Sequence, residues 1–275
     1  MKKRFIVLID FSDHSKRLLH FAYDWVKQTD IHLLLVNHVS HPTPAMGDTD
    51  VIAELKDASR QQALKALRHF AQTTVGDDTL LQYAVHTSGL ISIIEKLQMP
   101  DTLDFVLVGL NDKTLFDQLL FGSTAAELSK QLNSIILAFP TQEDTINMSD
   151  IYIGVNDRFP LNKPALEQII RIKQDAIRNF HFFSIVKDET EAAEAEKNLH
   201  ALQEQYEPYI STSYEILLSE EPTEAIKEYM LKNKGVLAIQ KGSRSLMDLF
   251  RPFLTTEMIY MARVPLILLP NNEAN

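Results

Sequence analysis

Two glycine-containing loops in this chain combine residue types suited to holding an anion. The first lies in segment 104–140, DFVLVGLNDKTLFDQLLFGSTAAELSKQLNSIILAFP, where an apolar run from Phe105 to Val108 stops at Gly109. A polar loop then leads to Gly122-Ser123-Thr124 and a helical pattern. Glycines bracketing such a loop, with hydroxyl residues at the helix start, can aim backbone N–H groups at a phosphate. Inside the loop stands Asp112, whose carboxylate repels an anionic ligand unless a cation intervenes; Lys113 is the adjacent cation. A plain helix start accounts for Gly122-Ser123-Thr124 as well, because Ser and Thr are favoured N-caps. Asp10, with Ser12 and Asp13, can likewise cap a helix. The second loop, Lys241-Gly242-Ser243-Arg244-Ser245, offers two cations, hydroxyls and a glycine; a solvated surface loop is its simpler reading.

Other chemistry finds little support. The nine histidines are scattered, with no HExxH pattern, and read as isolated core or surface residues. There is no GxxxxGK[ST] loop, and no HIGH-like or SGGxDS-like signature of nucleotidyl-activating enzymes. The absence of cysteine excludes thiolate chemistry and a disulfide scaffold, and fits a reducing compartment. Phe180, Phe182 and Phe183 read as strand packing, and Glu189 to Glu196 as the solvated face of a helix.

The elements that must position the loops follow from periodicity. The short, wholly apolar run Phe5–Ile9 predicts a strand buried on both faces, and the apolar-rich runs Leu33–Val39, Leu80–Val85, Asp104–Gly109 and Ser134–Phe139 predict four more strands. Helical spacing predicts Ser15–Lys27, Asp50–Thr73, Leu90–Leu97 and Gly122–Leu132 between them. Thr141–Ser149 loses the pattern and reads as a linker. The cycle then restarts, with strands at Ile151–Val155, Phe180–Val186, Ser211–Leu217, Gly235–Ile239 and Val264–Leu269. Helices are predicted at Lys163–Ala176, Glu189–Tyr206, Pro222–Leu231 and Thr255–Met261.

This alternation defines an α/β chain with two doubly wound, five-stranded parallel sheets, over residues 1–140 and 150–275. Aligning Phe5 with Ile151 puts Asp10 opposite Asn156, and aligning Pro140 with Pro270 puts Gly109 opposite Ile239. A formal net charge of -10 argues against a nucleic-acid-binding surface. No window approaches the roughly 20 apolar residues that a membrane span needs, so no membrane partner and a cytoplasmic location are expected.

At these residues the chain resembles the universal stress protein family, as a tandem of two domains. The resemblance rests on FIVLIDFSDHS at the start, the second strand ending Asn37-His38-Val39, and the block 104–140. It implies Rossmann-like sheets of the adenine nucleotide alpha hydrolase-like type, related by a pseudo-two-fold axis and pairing through their last strands. Nucleotide-binding members carry Gly, two residues, Gly, nine residues, Gly-Ser/Thr. Here Gly109, Asp112 and Gly122-Ser123 keep that spacing, but Asp112 replaces the middle glycine. By the same resemblance, Asp10 and the backbone at Val39 would lie near adenine and ribose, and Gly109, Gly122, Ser123 and Thr124 near the ribose and phosphates, with Ser12 and Asp112 completing the cofactor-binding set. In the second half Gly242 holds the middle position while Pro252-Phe253 replaces Gly-Ser, and proline offers no N–H; that half is expected to be nucleotide-silent.

The expected function is that of a non-catalytic stress-response protein, binding ATP or AMP through its first half and forming an intramolecular pseudo-dimer or a homodimer. The alternative is a protein-interaction or scaffolding module, with an unidentified protein partner, in which both sites are lost.

Overall fold

The computed structural model describes residues 2–27, 31–39, 49–77, 79–87, 90–97, 102–109, 134–140, 147–156, 159–172, 177–240 and 264–271. The loop residues Asp112, Gly122, Ser123 and Thr124, the loop 241–245, Pro252-Phe253 and the helices predicted at 122–132 and 255–261 lie outside them. Spatial contacts divide the chain into two compact units, Met1–Gly109 and Leu110–Asn275.

In the first unit the order is β1 (Lys2–Leu8), α1 (Asp13–Val26), β2 (His32–His38), α2 (Thr49–Val75), β3 (Leu81–His86), α3 (Leu90–Leu97) and β4 (Thr102–Gly109). The strands are parallel, in the order β3-β2-β1-β4. Phe5 registers with Leu33 on one side and Phe105 on the other. The runs Phe5–Leu8 and Phe105–Val108 are almost wholly buried, which is why they read as continuous apolar stretches. Helix α1 buries Leu18, Leu19, Ala22, Trp25 and Val26, one face of a 3.6-residue period. Trp25 lies 5.5 Å from the Phe5 ring, and Phe5 lies 5.4 Å from Phe105. Near the amino end of the sheet, Arg4 donates two hydrogen bonds to the buried Asp104 carboxylate, at 2.8 and 2.9 Å.

The second unit begins with β5 (Ile135–Phe139), followed by β6 (Asp150–Gly154), α4 (Lys163–Ile172), β7 (Asn179–Val186), α5 (Glu189–Tyr206), β8 (Ser211–Leu218), α6 (Pro222–Lys232), β9 (Val236–Gln240) and β10 (Leu266–Leu269). Strands β10-β9-β6-β7-β8 are mutually parallel in that order. Strand β5 joins β10 antiparallel, with Ala138 opposite Leu266 and Ile136 opposite Leu268. Spatial grouping therefore cuts the chain at Gly109, whereas the repeat in the sequence ends at Pro140: the partner of β5 on this side is the last strand of the chain.

Phe180 and Phe182 pack with Tyr206 of α5 on one face of this sheet, and Phe183 with Tyr229 of α6 on the other. Burial pushes the Tyr206 hydroxyl up to about 12. Asp188 caps α5 by accepting from the N–H groups of Thr190 and Glu191. The glutamates 189, 191, 194 and 196 are exposed, as the solvated-face reading requires.

Candidate functional site

In the first unit the strand order reverses between β1 and β4, since β2 and β3 lie on the far side of β1. Open parallel sheets bind ligands outside the carboxyl ends of their strands at such a reversal. Asp10 follows β1, Gly109 ends β4 and Val39 follows β2, so three of the predicted positions share this edge.

The turn from β1 into α1 is closed on itself. Asp10 Oδ1 accepts from the Ser12 N–H at 3.0 Å, the Ser12 hydroxyl at 2.6 Å and the Ser15 hydroxyl. Ser12 Oγ in turn accepts from the Ser15 N–H at 3.1 Å, capping α1, and Ser15 Oγ accepts from the Asp10 N–H at 3.0 Å. The predicted cap and the predicted site residues are thus the same side chains. Between them Phe11 adopts φ 66°, a conformation that bulky residues rarely take. Its half-open ring meets Phe70 of α2 edge-on at 5.6 Å.

The neighbouring strand ends are tied to this turn. Buried Asn37 donates to the Ile9 carbonyl at 2.8 Å, and the Val39 N–H donates to the His86 carbonyl at 2.9 Å. Burial, with Arg60 and Lys96 nearby, lowers the affinity of His86 for a proton and favours its neutral form. Phe11, Ser15 and Asn37 were not singled out as site residues from sequence. The spacing Asp10-x-Ser12-x-x-Ser15 was the available signal for Ser15; nothing local marks the cross-strand bond of Asn37.

The second unit reverses its strand order between β6 and β9. Here the edge holds a recess of ≈ 60 Å³ lined by Gly154, Asn156, Phe159, Ile226, Ile239 and Gln240, among others. A Cβ on Gly154 would lie 3.2 Å from Ile239 and 3.4 Å from the Phe183 ring, so the strands approach closely there. Beside it runs a buried amide network. Gln240 accepts from the Asn162 N–H at 2.8 Å and donates to the Pro270 carbonyl at 2.7 Å. Asn162 donates to the same carbonyl at 3.0 Å and accepts from the Ala165 N–H at 3.0 Å. Among the described residues, Asn162, Gln240 and the Pro270 carbonyl satisfy one another beside the recess.

Among the described residues, no group of three or more His, Asp or Glu side chains is placed to hold a metal ion. No described helix is long and apolar enough to cross a membrane.

Strand order, parallel pairing and the carboxyl-edge turn define a Rossmann-like α/β protein. The model of the universal stress protein family matches residues 1–138, and the chain belongs to that family. No curated protein matches it. Among solved structures it is similar to a universal stress protein from Archaeoglobus fulgidus, 13% identical, with 98% of this chain and 97% of that chain covered at a TM-score of 0.60. The cytoplasmic domain of a prokaryotic cation chloride cotransporter is 14% identical, with 100% and 98% covered at 0.58. A protein of unknown function from Pseudomonas aeruginosa is 14% identical, with 98% and 93% covered at 0.51. At these identities the likeness is one of fold.

Proposed function

We propose that this is a tandem stress-response protein of the cytoplasm whose first half, 1–140, binds ATP or AMP and acts through binding rather than nucleotide turnover. The observation that carries this reading is the meeting of Asp10, Val39 and Gly109 at one carboxyl edge, flanking the reversal between β1 and β4. Asp112, Gly122, Ser123 and Thr124 would complete the phosphate side. The second half, 150–275, is nucleotide-silent: Pro252-Phe253 stands where Gly-Ser would be, and Asn162 and Gln240 hold one another at its carboxyl edge. It serves as the internal pairing partner. The antiparallel pairing of β5 with β10, the closing strands of the two halves, supports a pseudo-two-fold arrangement.

Isothermal titration with ATP and AMP tests the ligand. The expected result is heat with the intact chain, lost in Asp10→Ala and Gly122→Val while both variants keep their melting transitions. No heat and no thermal shift at millimolar nucleotide would overturn it.

A second reading is an interaction module with both nucleotide sites lost. Asp112 in the loop, and Pro252-Phe253 in the other half, favour it. A cellular phenotype that survives bulky replacements at Gly122 and Ser123 would select this reading over the first.

A further inference from the structure

At the amino end of the second sheet, three side chains from three adjacent strands meet in line. Asp150 opens β6, His181 is the third residue of β7 and Ser213 the third of β8. The parallel register sets His181 beside Tyr152 on one side and Ser213 on the other. His181 Nδ1 lies 2.7 Å from Ser213 Oγ, and Nε2 lies 3.1 Å from Asp150 Oδ1. The imidazole stacks on the Tyr152 ring at 4.7 Å and 19°, which holds its plane. From sequence His181 reads as an isolated histidine; the register makes it the centre of a constellation.

Hydrogen-bond chemistry sets the direction of this chain. Partial burial pushes the Asp150 carboxyl up, but hydrogen bonds from Ser149, His181 and Asn179 outweigh it and hold the group below its ordinary range. An ionised carboxylate only accepts, so Nε2 of the neutral ring carries the proton. Nδ1 is then the acceptor, and Ser213 donates to it. A hydroxyl within hydrogen-bond reach of a base that a third group orients is the general arrangement of an activated nucleophile. Ser213 is exposed, and the His181 and Asp150 side chains are each 25% exposed, so an acyl donor can reach the hydroxyl.

We propose that Ser213 is a nucleophile for acyl transfer, with His181 as its general base and Asp150 as the positioning carboxylate, and that it takes small activated esters. Ser213 Oγ attacks the ester carbonyl carbon while its proton passes to His181 Nδ1. The bond from that carbon to the leaving oxygen breaks, and the departing alcohol takes the proton from Nδ1. Acyl-Ser213 and neutral His181 remain. Water attacking the acyl carbon by the same proton path then returns the free hydroxyl and a carboxylic acid. Ser213 is the exposed end of the line, on the edge strand β8, so small reactive donors reach it from solvent.

The test uses the full-length protein with p-nitrophenyl acetate, reading nitrophenolate release and mapping acetylated residues by mass spectrometry. The expected result is acetyl on Ser213, formed on the order of 10²–10⁴-fold faster than in His181→Ala, the usual contribution of a positioned base. Asp150→Asn should slow the same adduct, and Ser213→Ala should abolish it. A second measurement compares the native chain with the chain unfolded in urea, where the constellation is dispersed; native acylation at Ser213 should be faster by a similar factor. This comparison holds even if His181→Ala does not fold. Acylation at Ser213 no faster in the native than in the unfolded chain, or adducts confined to lysines, would overturn the proposal.

Discussion

After β1 the chain turns through Asp10, Phe11 and Ser12, and the turn's hydrogen bonds close within six residues, leaving Asp10 and Phe11 at the surface. After β6 it runs on to Asn162, which reaches Gln240 at the end of β9 and the Pro270 carbonyl after β10. Both turns follow the first strand of a 3-2-1-4 strand order, so the backbone places the same edge in each half. The side chains use it differently. At one edge the turn is closed by local contacts that leave Asp10 exposed while Ser15 and Asn37 are buried; the other is cross-linked by buried amides from distant parts of the chain. A doubly wound sheet supplies the position of a site, and a few side chains decide whether it can be occupied.

The amino ends differ as sharply. In the alignment of Phe5 with Ile151, Arg4 corresponds to Asp150. Arg4 is buried against Asp104, whereas Asp150 belongs to the half-open line with His181 and Ser213. Removing one partner of a buried pair strands the other charge, so Asp104→Ala should cost about 3–5 kcal/mol in denaturant unfolding. Asp150→Ala should cost about 1 kcal/mol or less, in the range of exposed pairs. Equal losses would break the contrast between the two ends.

Gly235→Ala should come next. A Cβ there would sit 2.4 Å from the Asp150 carbonyl oxygen and 2.7 Å from the Tyr152 ring. The strands must shift, at about 1–3 kcal/mol for overpacking. The variant should also slow acylation of Ser213, because Tyr152 and Asp150 position His181.

The amide clamp is tested by Gln240→Leu, which leaves the Asn162 N–H without its acceptor and the Pro270 carbonyl with Asn162 as its remaining donor. A loss of about 1–3 kcal/mol in the urea midpoint is expected, with nucleotide heats at the first half unchanged. A variant that gained nucleotide binding in the second half would instead mean that the clamp, and not the missing Gly-Ser pair, keeps that edge silent.

The smallest effect is in acid. The Asp150 carboxyl is held below the ordinary carboxylate range by its hydrogen bonds, so its contribution is present above that range and lost as pH falls through the lowered folded value. Asp104 is raised, because desolvation outweighs the Arg4 hydrogen bond and charge. Its contribution is therefore full at low pH and falls as pH rises through the raised value. Urea midpoints from about pH 5 down to about pH 2 should show the gap between the intact chain and Asp150→Asn closing as pH falls. A gap that widened would reverse the assignment.

Strand and helix identity was legible because each buried strand must be apolar along its length and each helix must bury one face. Phe5–Leu8, Phe105–Val108 and the α1 stripe Leu18-Leu19-Ala22-Trp25-Val26 all carry that imprint. Capping by Asp10 and Ser12 was legible for a similar reason, since its partners lie within six residues of one another, although the part taken by Ser15 was not read. Family resemblance at the start of the chain and in the block 104–140 pointed to a carboxyl-edge site, and the fold brings Asp10, Val39 and Gly109 to one edge.

The sequence by itself determined the α/β alternation, the restart at Ile151 and the turn chemistry after β1, all local consequences of burial period and capping. Tertiary structure alone decided that β5 runs antiparallel to β10, that Asn162 meets Gln240 across 78 residues, and that Asp150, His181 and Ser213 form one line. Those outcomes depend on strand order and register, which join residues far apart in the chain and leave no periodic trace in either partner.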